Sequence, residues 1–253
     1  VFKQLGNGQL WPLNIGIFIL HALMVAMFVS IPPQLVQAGL TLDQHAWLYL
    51  PVLLIAFVLM VPFVIVAEKK KQMKGIVIVA LGIMILALIL MSQAMGVWAW
   101  AIALGVFFWA FNIMEATLPS WLSKVAPAGA KGSAMGIYST LQFLGAFAGG
   151  LIGGWLNNHF GIEGLFLILA AAVFAWAILV IVTPKPAHLN SVRVDIQNQG
   201  DEGQSTLYLD ALINLRGVAD AILIAEEQAI YLKVDASVFD YQQAMATVNS
   251  LGE

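Results

Sequence analysis

One carboxylate, Glu115, lies inside a run of about twenty otherwise apolar residues, a length that crosses a bilayer core as a helix. A charge at such a depth is costly, so an intramembrane acid normally faces a cavity or a partner, where it can bind and release a proton. Asn112 precedes it by three residues and shares its helical face. A second reading makes Glu115 a structural acid near the interface that caps a neighbouring helix or pairs with Lys124. Tyr138 and Gln142, four apart, present a hydroxyl and an amide to one side of another apolar run, either lining a cavity or bonding between helices. Asn14 and His21, seven apart, share a face in the first run, with the same two readings. His21 could carry a proton, but spacing alone sets no second His or acid beside it.

Gly145, Gly149, Gly150, Gly153 and Gly154 contain overlapping small-x-x-x-small spacings, which let helix backbones approach closely. Phosphate binding by this stretch is disfavoured because no Gly-Lys-Ser/Thr comes after it and it lies inside a span. Glu68, Lys69, Lys70, Lys71 and Lys74 form the densest charged cluster, read as a loop held on the cytoplasmic side near anionic lipid. A sharper reading has this loop dock the acidic end of the chain in one conformation. There is no His-Glu-x-x-His and no Gly-x-Ser-x-Gly context, and with 0 Cys there is no thiolate chemistry. The chain therefore reads as a non-enzyme with no cofactor and no metal site.

The elements that must position these residues are membrane helices. Hydrophobic residues make up 61% of the chain and charged residues 10%, well outside the soluble range. Six spans are expected: Leu13 to Ala38, Ala46 to Ala67, Gly75 to Met95, Val97 to Leu122, Gly132 to Asn158 and Gly164 to Thr183. Ile31-Pro32-Pro33 should bend or end the first, because proline lacks the amide donor and clashes with the preceding turn. Lys69, Lys70, Lys71, Lys74, Lys124 and Lys131 fall in the connections after the second and fourth spans, while the other turns carry Asp43, His45, His159 and Glu163. Short basic loops stay in the cytoplasm, so both ends of the six-span block are expected there, in agreement with Lys3 and Lys185. The chain begins at Val1 rather than Met, and a fragment of a longer protein is expected.

Past Pro184-Lys185-Pro186 the composition becomes that of a small soluble domain, giving a division into 1–186 and 187–253. Ten of the chain's 14 Asp and Glu lie in this tail, which argues against nucleic acid as a partner. Ser191 to Gln197 alternates as a strand, Gln199 to Gly203 is a polar turn, and Leu207 to Leu215 has helical spacing closed by Arg216-Gly217. Val218 to Ala225 and Ala229 to Val234 read as strands and Asp240 to Leu251 as a helix. His188 sits in the linker, and Asp201-Glu202 in a turn read as solvated surface rather than a metal site. The order β-α-β-β-α is one strand short of a ferredoxin-like unit. The fold class is thus an all-α polytopic membrane bundle with a small α+β ferredoxin-like domain after it.

Leu118-Pro119, Pro127 and Lys131-Gly132-Ser133-Ala134-Met135-Gly136 ahead of the glycine-rich helix resemble the later half of major facilitator superfamily transporters. Glu68-Lys69 through Lys74 looks like a degenerate copy of that family's basic loop signature. Asn112 to Ser120, Val66 to Lys70, Ser191 to Val194 and Glu227 to Val234 are similar to the YajR-type drug-efflux branch, whose members carry a small cytoplasmic ferredoxin-like (YAM-type) domain. The tail's topology also resembles heavy-metal-associated domains, but their Cys-x-x-Cys is missing. The resemblance implies proton-driven antiport that exports a small molecule by alternating access, in a bacterial inner membrane. It implies a missing N-terminal six-helix half as partner, with substrate, protons and membrane lipid, and a substrate site near the midplane between halves. Glu115, Asn112, Tyr138, Gln142, His21 and Asn14 are then the pathway candidates. The rival reading is a membrane-anchored sensor or scaffold whose helices only hold the acidic domain at the membrane.

Overall fold

The computed structural model describes residues 10–127, 130–184, 189–196, 202–224, 227–235 and 237–252. Lys3, Lys185, His188 and the expected turn residues 199–201 lie outside them. The chain divides into two compact units, residues 1–122 with 136–185, and residues 123–135 with 186–253.

Four helices open the chain: α1 Trp11–Gln37, α2 His45–Lys69, α3 Met73–Ser92 and α4 Gly96–Val125. The stretch Lys131–Val182 comes next, and among the described residues five such helices are long and apolar enough to cross a membrane. Six spans were expected, and the difference lies in the fifth and sixth. At a rise of about 1.5 Å per residue, 52 residues would extend far beyond a bilayer in one line. Gly161 breaks the stretch, with φ 69° and ψ −178°, a conformation that glycine adopts without a Cβ penalty. The turn is so short that residues on both sides of it remain helical. Residues 131–160 (α5) and 162–182 (α6) are therefore separate span-length segments.

Packing against α1 shows that the chain reverses at this break. Gly145, Gly149 and Gly153 face Phe18, Ala22 and Ala26 in ascending order, so α5 runs parallel to α1. Trp176 of α6 has returned to the start of α1, where its indole covers Gly16 and donates from Nε1 to the Pro12 carbonyl oxygen at 3.1 Å. A Cβ would lie 2.8 Å from Phe18 Cα at Gly145, 2.6 Å from Ala22 Cα at Gly149 and 2.6 Å from Ala26 Cβ at Gly153. Only residues without a side chain permit so close a seam. Gly150 would place a Cβ 3.5 Å from Val25 Cγ1, an ordinary contact, and Gly154 faces open space within this unit.

At Ile31-Pro32-Pro33, where a bend or an end was expected, the helix runs through both prolines to Gln37. Their missing amides cost the carbonyls of Phe28 and Val29 their intrahelical partners, but only one further turn depends on the interrupted ladder. In α2 most large apolar side chains point outward, among them Leu50, Leu54, Phe57 and Val58. Only 11% of its most apolar window is buried, against 50% for α1, as befits a helix whose neighbours are lipid or another polypeptide.

The second unit contains strands β1 Leu189–Asp195, β2 Val218–Ile224 and β3 Ala229–Asp235, and helices α7 Glu202–Ile213 and α8 Tyr241–Gly252. The sheet is open, in the order β1-β3-β2, with both flanking strands antiparallel to β3. The first strand begins two residues before the expected Ser191, and α7 absorbs Glu202 and Gly203 of the expected turn. Val194, Ile230, Leu232 and Val234 pack on Tyr208, Leu212, Ala244 and Val248 of the two helices. Leu232→Ala is expected to destabilise this unit by about 2–5 kcal/mol, because transfer and cavity costs add at a fully buried site. Hydrogen exchange of residues 189–252 in the full chain would show faster global opening; unchanged protection would mean that this core does not hold the unit together.

Lys233 alternates with that core along β3, yet it is only 4% exposed and donates to the Ser123 carbonyl oxygen at 3.1 Å. Burial, and then the like charge of Lys131, lower its pKa, while Asp220 raises it again. The folded state therefore binds this proton less tightly than the unfolded chain does. The cost is present at neutral pH and is relieved as pH climbs from the lowered folded value to the ordinary lysine value. Lys233→Met should flatten the rise in stability of this unit as pH climbs toward the ordinary lysine value, as read by thermal melts.

Candidate functional site

Three helices bring polar side chains to one place in the first unit. His21 from α1 is buried, with Nδ1 3.3 Å from the Ile17 carbonyl oxygen one turn back. Donation from Nδ1–H to that carbonyl leaves Nε2 as an acceptor, and Gln142 Nε2 of α5 lies 2.8 Å from it. The same amide nitrogen is 3.4 Å from Glu115 Oε1 of α4, so its two hydrogens serve an imidazole and a carboxylate at once. Glu115 Oε2 lies 3.8 Å from His21 Nε2. The Glu115 side chain is 40% exposed, although its Oε2 is buried. Phe111, one turn before Glu115, meets the His21 ring edge-on with centroids 5.7 Å apart. It seals that side of the imidazole with apolar surface.

Among the described residues, Glu115 Oε2, the Tyr138 hydroxyl and Asn14 Oδ1 are buried polar atoms with no hydrogen-bond partner. Buried orphans are rare in folded proteins and mark groups whose partner comes and goes, or sites of strain. Tyr138 stands one turn before Gln142 on α5, and Asn14 two turns before His21 on α1. Asn112 is half-buried one turn before Glu115 and is not drawn into the hydrogen-bonded group. The structure thus brings His21, Glu115 and Gln142 together and leaves Asn14, Asn112 and Tyr138 at the margin.

Spacing paired His21 with Asn14 and left it without an acid; the structure sets an acid from another helix beside it. One sequence signal was available. His21, Glu115 and Gln142 lie about 12, 10 and 15 Å along their helices from the lysine-marked end of each expected span, by the rise per residue. Groups at matched depth are the ones that can meet.

The charged cluster at that end has structural work. Lys74 Nζ donates to the carbonyl oxygens of Ile181, at 2.7 Å, and Thr183, at 2.5 Å, which α6 leaves open at its C-terminus. The Glu68 carboxylate accepts from the Ser120 hydroxyl of α4. Lys69, Lys70 and Lys71 are exposed. At the opposite end of the spans Gln93 donates to Glu163 at 3.1 Å. An apolar cavity of about 580 Å³ also lies there, lined by Leu40, Trp47, Pro51 and Trp98, and it contains none of the polar candidates. Among the described residues no group of three or more His, Cys, Asp or Glu could hold a metal ion.

The Major Facilitator Superfamily profile matches residues 13–198. The chain is 37% identical over 247 residues to the inner membrane transport protein YajR of Escherichia coli K12, covering 96% of this chain and 54% of that protein. It is 37% identical over 136 residues to an uncharacterized transporter of Buchnera aphidicola from Acyrthosiphon pisum, covering 53% of this chain and 35% of that one. The chain spans about half the length of the first of these relatives and less of the second. Among solved structures, the POT family transporter PepTSo superimposes with a TM-score of 0.57 over 82% of this chain and 42% of that one. At 13% identity the likeness concerns the fold alone.

Proposed function

Since this chain belongs to the Major Facilitator Superfamily, a family of transport proteins rather than enzymes, we propose that it forms one six-helix wall of a proton-driven exporter of small molecules. It is an integral, multi-pass membrane protein with a secondary transport role. In this reading a preceding six-helix half supplies the other wall, and substrate binds between the halves as they alternate access. Glu115 binds and releases the coupling proton, with His21 and Gln142 as its polar neighbours and Asn112, Tyr138 and Asn14 lining the path. The observation that carries the reading is a carboxylate, on a partly exposed side chain, bracketed by an imidazole and an amide inside three apolar helices. An acid held at that cost is there for a change of charge.

Residues 187–253 are, in the same reading, a cytoplasmic regulatory domain of ferredoxin-like topology lacking its last strand. The split β-α-β connection that places β3 between β1 and β2 supports that topology. Its acidic surface would approach the exposed Lys69, Lys70 and Lys71 in one transport state.

The test uses the full-length protein, both halves included, in proteoliposomes loaded with ethidium as the probe. Export that depends on an imposed proton gradient and stops with a protonophore supports the proposal. Transport indifferent to the gradient, while the protein remains folded, would remove proton coupling.

A further inference from the structure

Resting on the reading of Glu115 as the coupling acid, we infer that Gln142 is the residue that converts its protonation into movement, by competing with the Glu115 carboxyl group for one lone pair on His21. The imidazole nitrogen Nε2 has a single lone pair, and with Nδ1–H turned to Ile17 it can accept one hydrogen bond. In the observed arrangement Gln142 Nε2 fills it at 2.8 Å. Glu115 Oε2 stands 3.8 Å from the same nitrogen, buried and without a hydrogen-bond partner. Ionised, that oxygen is only an acceptor and cannot compete.

A proton that reaches Oε2 changes this. Held on Oε2, it makes a donor within a small side-chain adjustment of His21 Nε2, and the Gln142 N–H is displaced. In that state Gln142 loses its hold on α1, and the hydrogen bond that joins α5 to α1 in the deprotonated state is gone. On release of the proton to water the carboxylate is restored and the amide returns.

The other polar groups at this place are Asn112 on α4, Asn14 on α1 and Tyr138 on α5. None of them forms a hydrogen bond to His21 or Glu115 among the described residues that would take over the tie. The location makes the tie consequential. Gly145 is three residues beyond Gln142 and begins the seam along which α5 lies on the backbone of α1. Phe18, its contact, is three residues before His21. A seam with no interdigitating side chains resists sliding weakly, so a hydrogen bond at its end has leverage over the α1–α5 register. Gln142 is thus a positioning residue for coupling, acting through His21.

Spin labels on cysteines introduced at Val29 and Ile152, exposed positions of α1 and α5, would report this in the full-length transporter in phosphatidylcholine–phosphatidylglycerol nanodiscs. The parent protein should show a shift of the inter-label distance distribution between pH 8.5 and pH 5.5. Gln142→Leu should give the acid distribution at both pH values, and so should His21→Leu, which removes the lone pair without touching α5. A pH-dependent shift that survives in either folded variant overturns the role of Gln142, and so does its absence in the parent. Gradient-driven ethidium export in Glu115→Gln answers a separate question: if it persists, the coupling reading of Glu115 is wrong; if it is lost while Gln142→Leu keeps the shift, only the inference about Gln142 fails.

Discussion

Glu115→Gln is expected to abolish the part of transport that depends on the proton gradient, lowering gradient-driven ethidium export by tenfold or more, about 1.4 kcal/mol at the coupled step. The substitution keeps the shape and an acceptor oxygen, so Gln142 retains a partner on α4. What it removes is the ability to change charge. A residue that only braces helices would tolerate this exchange with little loss, because an amide can brace as well as a carboxylate. Thermal stability should therefore stay within about 0.5 kcal/mol of the parent, as for a replacement that leaves no buried group newly unpaired. Export measured across pH, beside a melting curve, separates the two. Gradient-driven export as fast as in the parent at every pH would assign Glu115 to structure.

Gly149→Leu should be the most damaging single change to the helical unit. A Cβ at this position would lie 2.6 Å from Ala22 Cα and closer still to the Ala22 carbonyl oxygen. The obstacle is backbone, which cannot rotate away as a side chain can, so α5 and α1 must separate. The cost is about 3 kcal/mol or more, at the upper end for overpacking, and Gly145 and Gly153 would lose their contacts along with it. Gly150→Ala is the matched comparison. Its Cβ meets Val25 Cγ1 at 3.5 Å, and the gain in helix propensity is about 0.5–1 kcal/mol. Size-exclusion profiles and melting temperatures of the full-length protein should rank Gly150→Ala at or above the parent and Gly149→Leu far below it. Equal behaviour of the two variants would mean that the α1–α5 seam is not where the unit is held.

Much of this architecture was legible beforehand, and the reasons are local. An apolar run of span length can satisfy its backbone in lipid only as a helix, so composition and length were sufficient for α1 to α4. Alternation along Val192, Val194 and Ile196, and along Ile230, Leu232 and Val234, exposed the strands, because a half-buried strand must repeat every two residues. At Pro32 and Pro33, where a bend or an end was expected, the last turn of α1 still closes beyond them. Gly161 breaks the helix where a short polar turn between Asn158 and Gly164 was expected.

The candidate site was legible as residues but not as a site. Helical spacing relates positions on one helix, and so it grouped Tyr138 with Gln142 and Asn14 with His21. It carries nothing about rotation of one helix against another, which is set by side-chain volumes along whole interfaces. The glycines narrowed this without resolving it. They marked a close approach on α5 but not its partner, and not that Gly154 faces away from it.

By itself, then, the sequence determined that this protein lives in a membrane, which parts are helical spans and which a small α/β domain, and that an acid is held among apolar residues. These properties arise from backbone satisfaction and burial, which act within one segment. Only the tertiary structure decided that Glu115 meets His21 and Gln142, that α5 rather than another helix lies on α1, and that Lys74 closes the end of α6. Those contacts join residues from 27 to 127 positions apart. They depend on how whole helices turn their faces to one another, a property of the assembled bundle and of no stretch within it.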